Sequence, residues 1–166
     1  MINLRALYPE FEAAGFIFRD RGTILPGDRR PLWRVALVVV LLKQACRGGS
    51  SSLSRLHVLD WAVRFKHGRD QIVGFLNGNR PASFSPVRFD PALLRALQFA
   101  RAEQLVAAKG GNIALTTKGL AMATEIEGEA NLLRVEKAVL AELGKKFTEK
   151  ASEAFVKIGE QYELPT

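Results

Sequence analysis

Residues 89–126, FDPALLRALQFARAEQLVAAKGGNIALTTKGLAMATEI, spell out a complete supersecondary unit, and the rest of the chain is placed around them. Asp90 followed by Pro91 is a strong helix start. The carboxylate accepts from free N–H groups of the first turn, and proline has a fixed φ and no donor to leave unpaired there. The helix is expected to run to about Ala108. A turn at Lys109-Gly110-Gly111-Asn112 follows, so that Leu105 to Ala108 lead into a hairpin whose return strand is Asn112 to Leu115. Thr116 or Thr117 then caps a further helix that contains Leu120, Met122 and Ile126.

Helix, small hairpin and a Leu-Thr-x-x-Gly segment (Leu115 to Gly119) opening another helix resemble the winged helix-turn-helix superfamily. That resemblance implies a mainly α fold with a small β-hairpin wing. The expected organisation is a winged-helix domain over residues 1–126, with an N-terminal hairpin, and a C-terminal helical extension over 127–166 packed on it. Winged helices bind DNA, bind proteins or do both, so fold alone does not fix function.

At 166 residues and 48% hydrophobic content, the chain is long enough to bury one sizeable core. Lysine and arginine outnumber aspartate and glutamate by 24 to 17, and the excess is unevenly spread. Residues 1–125 carry 18 basic and 9 acidic side chains, whereas 126–166 carry 6 and 8. The globular part is therefore strongly basic and suggests an acidic partner. The single cysteine, Cys46, cannot close an internal disulfide and points to a reducing compartment. With no basic start followed by an apolar stretch at the amino terminus, the expected location is the cytoplasm.

Along the chain, Met1 to Gly15 offer one or two short helical turns interrupted by Pro9. Phe16-Ile17-Phe18 and Thr23-Ile24-Leu25 flank Arg19-Asp20-Arg21-Gly22 as a short hairpin, which covers the core or offers a sheet edge to a partner. Pro31 precedes an almost all-round apolar run whose uninterrupted part, Val35 to Leu42, falls far short of the roughly 20 residues needed to span a bilayer. It reads as a buried central helix. Gly48 to Ser52 break it, and a serine caps the next helix, Leu53 to about Lys66. There Asp60 and Arg64 suggest an exposed i,i+4 ion pair, and His57 shares their stripe. His67 reads as a helix-end residue. Arg69 to Leu76 form another short helix, and Arg80 to Phe89 an extended loop ending in a short strand at Val87 to Phe89. In the tail, Leu132, Val135, Val139, Leu143 and Phe147, then Phe155, Ile158 and Tyr162, recur at helical spacing as one kinked helix or two, with Gly144 as the break and Thr148 as a cap.

No phosphate loop GxxxxGK[ST], GxGxxG, HExxH, CxxC or GxSxG motif occurs, and two histidines with one cysteine make a poor metal-ligand set. The expectation is a non-enzyme without cofactor or metal, working through its surfaces. In a winged helix the helix before the hairpin enters the major groove. That makes Arg95, Gln98, Arg101 and Gln104 the candidate base or phosphate contacts and Lys109 the wing contact. At about 100° per residue, Arg95, Gln98 and Ala102 form only a narrow polar stripe, with Leu93, Leu94 and Leu97 on one flank and Phe99 and Val106 on the other. Solvated arginines on a core helix are the competing account.

Three longer stretches carry a second resemblance. RPLWRVALVVVLLKQACRGGSSSLSRLHVLDWAV (30–63), the 89–119 segment and LLRVEKAVLAELGKKFTEK (132–150) resemble the middle components of bacterial ABC three-component systems, including the small subunit of Lamassu-type antiviral defence complexes. The features that carry it are the Arg-Pro before an apolar helix, Ser-Leu-x-x-Leu-x-x-Leu-x-Trp (Ser52 to Trp61), and the Asp-Pro helix leading to Leu-Thr-x-x-Gly. The resemblance implies a non-enzymatic subunit that works with an SMC-like coiled-coil ATPase and an effector, often a nuclease. Nucleotide and catalytic residues would belong to those partners, and DNA backbone would be contacted without sequence reading. It also makes Phe16, Phe18, Arg80, Phe84, Arg88, Phe155 and Tyr162 candidate interface residues. A stand-alone DNA-binding transcriptional regulator is the principal alternative, and an adaptor with one small partner a third.

Overall fold

Helix α1, Pro31–Ala45, is the hub of the molecule. Every residue from Arg34 to Leu42 is buried, so the helix is enclosed all round, with the helices Pro91–Ala102, Thr117–Gly128 and Arg134–Leu143 packed against it. The run Val38-Val39-Val40 has a helix propensity some tenths of a kcal/mol per residue below alanine. Burying each such side chain is worth about 1.5–3 kcal/mol, so packing decides the conformation. Pro31 occupies the first turn, as its missing N–H allows.

The computed structural model describes residues 30–79 and 90–163, with side chains through Gly159. The expected features at 1–29, including the hairpin with Phe16 and Phe18, lie outside the described residues. So do the 80–89 loop and strand with Arg80, Phe84 and Arg88, and the side chain of Tyr162.

After α1, a 3-10 turn at Arg47–Gly49 leads into β1, Ser50–Ser51. Gly48 and Gly49 both sit at φ +64°, which lets the chain reverse there without strain. Ser52 caps α2, Leu53–Arg64, its hydroxyl accepting from the Arg55 N–H at 3.2 Å. At Phe65 the backbone turns extended and α3, Lys66–Leu76, begins. Both boundaries differ from expectation: α2 stops two residues early and α3 starts three early. His67 therefore lies in the first turn of α3, edge-on to Trp61 at 5.3 Å.

Helix α4, Pro91–Ala102, is capped by Asp90, whose Oδ1 accepts from the Ala92 N–H at 2.8 Å. It ends six residues before the expected Ala108. Gln104 takes a left-handed φ of +57° and the Leu105 N–H reaches back to the Ala100 carbonyl at 2.8 Å, which frees 106–109 for the sheet. Strands β2, Val106–Lys109, and β3, Asn112–Leu115, pair antiparallel in the register Val106↔Leu115 to Lys109↔Asn112. Gly110 and Gly111, both at positive φ, make the two-residue turn this register needs. β1 joins the other side of β3, giving a three-stranded sheet in the order β1-β3-β2.

Thr116 caps α5, Thr117–Gly128, by accepting from the Gly119 N–H at 3.0 Å. Helices α6, Arg134–Leu143, and α7, Glu149–Glu163, complete the described chain, so the tail is two helices broken at Gly144. The Thr148 hydroxyl accepts from the Ala151 N–H at the start of α7. One hydrophobic cluster runs from α1 through α2, α4 and α5 to Val139, Leu140, Leu143, Phe147 and Phe155 of the tail. Phe155 stands edge-on to Phe75 at 5.4 Å and to Phe147 at 5.9 Å and is fully buried. As a contact for a partner it is corrected: it is a core residue. The fold is thus mainly helical with a small antiparallel sheet. Among the described residues no helix is long and apolar enough to cross a membrane.

Candidate nucleic-acid and partner surface

The orientation of α4 is set at its N-terminus by a buried charge network. Asp90 Oδ2 accepts from Arg34 of α1 and, at 2.6 Å, from Arg64 of α2. Arg64 Nε also donates to Asp60 Oδ2 at 2.9 Å, and Arg34 lies 3.5 Å from the same oxygen. The residue that caps α4 is therefore bolted to two other helices. This corrects the exposed Asp60–Arg64 pair expected from sequence, because Asp60 is only 1% exposed. The reason lies in the partners, which are 56 and 26 residues from Asp90 and invisible to local spacing.

Burial dominates the titration of Asp60 and pushes its carboxyl up despite the two arginines. At Asp90 burial also pushes upward, but the Ala92 N–H, Arg34 and Arg64 outweigh it and hold the carboxyl below its usual range. His57, on the same helix face as this network, is pushed down by burial, with the Asp90 charge opposing and Arg34 and Arg64 reinforcing. It is a neutral core imidazole at physiological pH. Cys46 is buried and its thiol is pushed up chiefly by that burial, so it lacks the thiolate character of a reactive cysteine. Among the described residues no cluster of histidine, cysteine or carboxylate side chains could hold a metal.

With its N-terminus fixed, α4 turns Leu93, Ala96, Leu97 and Ala100 inward. Arg95, Gln98, Phe99, Arg101 and Ala102 point outward. The expected second buried flank of Phe99 and Val106 does not form on this helix, since Phe99 is 53% exposed and Val106 is buried as part of β2. The outward face is consequently broader than a single stripe and combines two cations, an amide and an aromatic ring. Lys109 is exposed at the end of β2, next to the hairpin turn. None of Arg95, Arg101 and Lys109 takes part in an ion pair among the described residues. Beside this face, Lys118 at the start of α5 donates to the Glu103 carbonyl at 2.9 Å and ties the end of α4 to α5.

Four of the anticipated contact residues, Arg95, Gln98, Arg101 and Lys109, are thus exposed on α4 and the adjoining hairpin. Phe99 was missed as a surface residue because helical spacing placed it opposite Leu93 on a flank that no element covers. Further exposed apolar side chains are Leu32 at the start of α1, Leu120 on α5 and Val135 on α6. Comparison with protein-family models, with curated proteins and with solved structures returned no match.

Proposed function

We propose that this chain is a non-catalytic winged-helix accessory subunit of a bacterial antiviral complex built on an SMC-like coiled-coil ATPase. In this reading it bridges the ATPase and an effector nuclease and places α4 and the β2–β3 wing beside DNA. The observation that carries the reading is the outward face of α4. A helix devoted to base readout presents polar and cationic side chains. This one sets Phe99, half exposed, between Gln98 and Arg101. An exposed aromatic flanked by arginine is the composition of a protein contact, where aromatics and arginine supply the anchoring energy. The element order supports the winged-helix assignment: α1, β1, α2 and α3, then α4 leading into β2 and β3, with β1 completing the sheet. The sequence resemblance over 30–63, 89–119 and 132–150 supports the choice of partner.

A stand-alone DNA-binding regulator is the second reading, favoured by Arg95 and Arg101 on the same helix, which form no ion pair among the described residues. Tagged purification of the full chain from its native host at moderate salt separates the two. Recovery of a long coiled-coil ATPase together with an effector supports the subunit. Recovery of a homodimer bound to a particular duplex overturns it in favour of the regulator.

A further inference from the structure

A cavity of about 280 Å³ opens where the 3-10 turn after α1, the hairpin end of β3 and the start of α7 meet. Its walls include Arg47, Arg55, Asn112, Lys145, Thr148 and Glu149. From this we propose that the protein has a phosphate-binding site, separate from the α4 face, in which Arg47 and Lys145 hold the anion and Asn112 donates to it.

The sign of the site follows from which of its charges are already spent. Glu149 is the one carboxylate in the wall among the described residues, and both its oxygens are occupied. Oε1 accepts from the Ser51 hydroxyl at 3.1 Å and the Ser52 N–H at 3.0 Å, and Oε2 from the Ser52 hydroxyl at 2.7 Å. Burial would raise Glu149, yet these donors and Arg55 together hold it below the usual glutamate range, so it stays ionised and engaged. Arg55 is equally committed. Its Nε donates to the Phe147 carbonyl and its Nη2 to the Ala45 carbonyl, both at 2.8 Å, and its Nη1 lies 3.4 Å from Glu149. Glu149 and Arg55 therefore form a neutral, rigid floor. Arg47 and Lys145 remain, both exposed and without an ion pair among the described residues.

Two uncommitted cations and an amide around a concave space large enough for several waters suit a tetrahedral oxyanion. An ammonium supplies a point charge and a guanidinium a fork of donors, which is the usual division of labour around phosphate. Arg47 immediately precedes the Gly48-Gly49 turn, and Lys145 lies between Gly144 and the fully buried Phe147 two residues on. The phosphate is supplied either by a nucleic-acid backbone or by a small phosphorylated molecule. Asn112 lies directly opposite Lys109 in the hairpin, so a backbone phosphate in the cavity would sit beside the wing.

The test uses the isolated full chain, and its outcome does not depend on the ATPase reading. Inorganic phosphate, then adenosine monophosphate, is titrated while the Asn112 side-chain amide is followed by NMR. In parallel, anisotropy of a short random-sequence duplex is measured over a range of salt. The variants are Arg47→Ala/Lys145→Ala, Lys145→Gln alone, and Arg95→Ala as a control on α4. We expect saturable shifts at Asn112 that disappear in the double variant, and a duplex salt slope that falls by roughly two, one for each lost cation. Saturable shifts with an unchanged duplex slope assign the site to a small phosphorylated ligand. Absence of shifts together with an unchanged slope overturns the proposal. Both side chains are exposed, so the thermal midpoint stays at the wild-type value and reports any unintended loss of fold.

Discussion

Gly119 and Leu105 meet backbone to backbone: a Cβ on residue 119 would fall 2.0 Å from the Leu105 carbonyl oxygen. The same oxygen accepts from the Thr116 N–H at 3.0 Å and lies 3.2 Å from the Thr116 hydroxyl, which caps α5. The Leu-Thr-x-x-Gly segment is thus a latch that closes the end of β3 onto the entry to β2. Because the obstructing atom is backbone, relief requires moving the hairpin. Gly119→Ala is expected to destabilise by about 3 kcal/mol, the upper part of the range for overpacking. Gly128→Ala, where a methyl meets open space, should be neutral or stabilising by a few tenths of a kcal/mol to about 1 kcal/mol. Urea midpoints of both variants check this, and equal midpoints would refute the latch.

Removing Arg34 leaves Asp60, which is almost fully buried, and Asp90 with only Arg64 between them among the described residues. Breaking a buried pair from one side costs about 3–5 kcal/mol. Arg34→Ala should therefore be among the most damaging single changes in the protein. A double-mutant cycle with Asp90→Ala should return a coupling above about 1 kcal/mol. Additive effects would mean that the helices are held without this network.

Glu149, Glu127 and Asp90 are all held below their usual values, in each case by donors that outweigh the upward push of burial. At Glu127 the donors are Lys43 at 2.5 Å and Gln44 at 3.0 Å. A lowered carboxylate contributes stability above its unfolded value and loses it as pH falls through the folded value. Stability should accordingly decline on acidification below about pH 4.5, the ordinary carboxylate range. Asp60 acts in the opposite direction, since its folded value is raised and its contribution fades as pH rises. Glu149→Gln should flatten the acid limb of a plot of urea midpoint against pH. An unchanged limb would show that its hydrogen bonds carry no linkage.

The α4 face predicts two separable losses. Phe99→Ser removes an exposed ring, so the thermal midpoint should hold while capture of a partner protein from the native host falls. Arg95→Ala should leave both unchanged and lower the salt slope for duplex binding by about one. If Phe99→Ser instead unfolds the chain, the ring belongs to the core and the proposed contact fails.

Much of the fold could be read from short-range signals. Asp90-Pro91, the Gly110-Gly111 turn and Thr116 each act within a few residues, and each produced the element its chemistry calls for. The return strand Asn112–Leu115 falls at the anticipated residues for the same reason. The end of α4 was misplaced because Glu103, Gln104 and Leu105 carry no helix-breaking residue. The break comes from sheet pairing of 106–109 and a strained Gln104. Asp60 and Arg64 satisfied a local rule for surface pairs, and only Arg34, from another helix, reveals that the pair is interior. The phosphate cavity could not be read at all, for Arg47, Asn112 and Lys145 come from three distant elements. Arg95, Gln98, Arg101 and Lys109 were legible as exposed positions, whereas the role of Phe99 depends on which flank the tertiary fold leaves bare.

The burial of α1 on all sides also sets a timetable for synthesis. The helix is made before its coverings, α4, α5 and α6, and Lys43 waits for Glu127, 84 residues later. Loop closure over such spans precedes any reward, which slows folding. Until α6 has been made, an uninterrupted apolar run from Val35 to Leu42 stands open in the nascent chain. Such exposed apolar segments are prone to aggregate. Chains truncated before Arg134 should accumulate as chaperone-bound or insoluble species rather than as smaller folded domains.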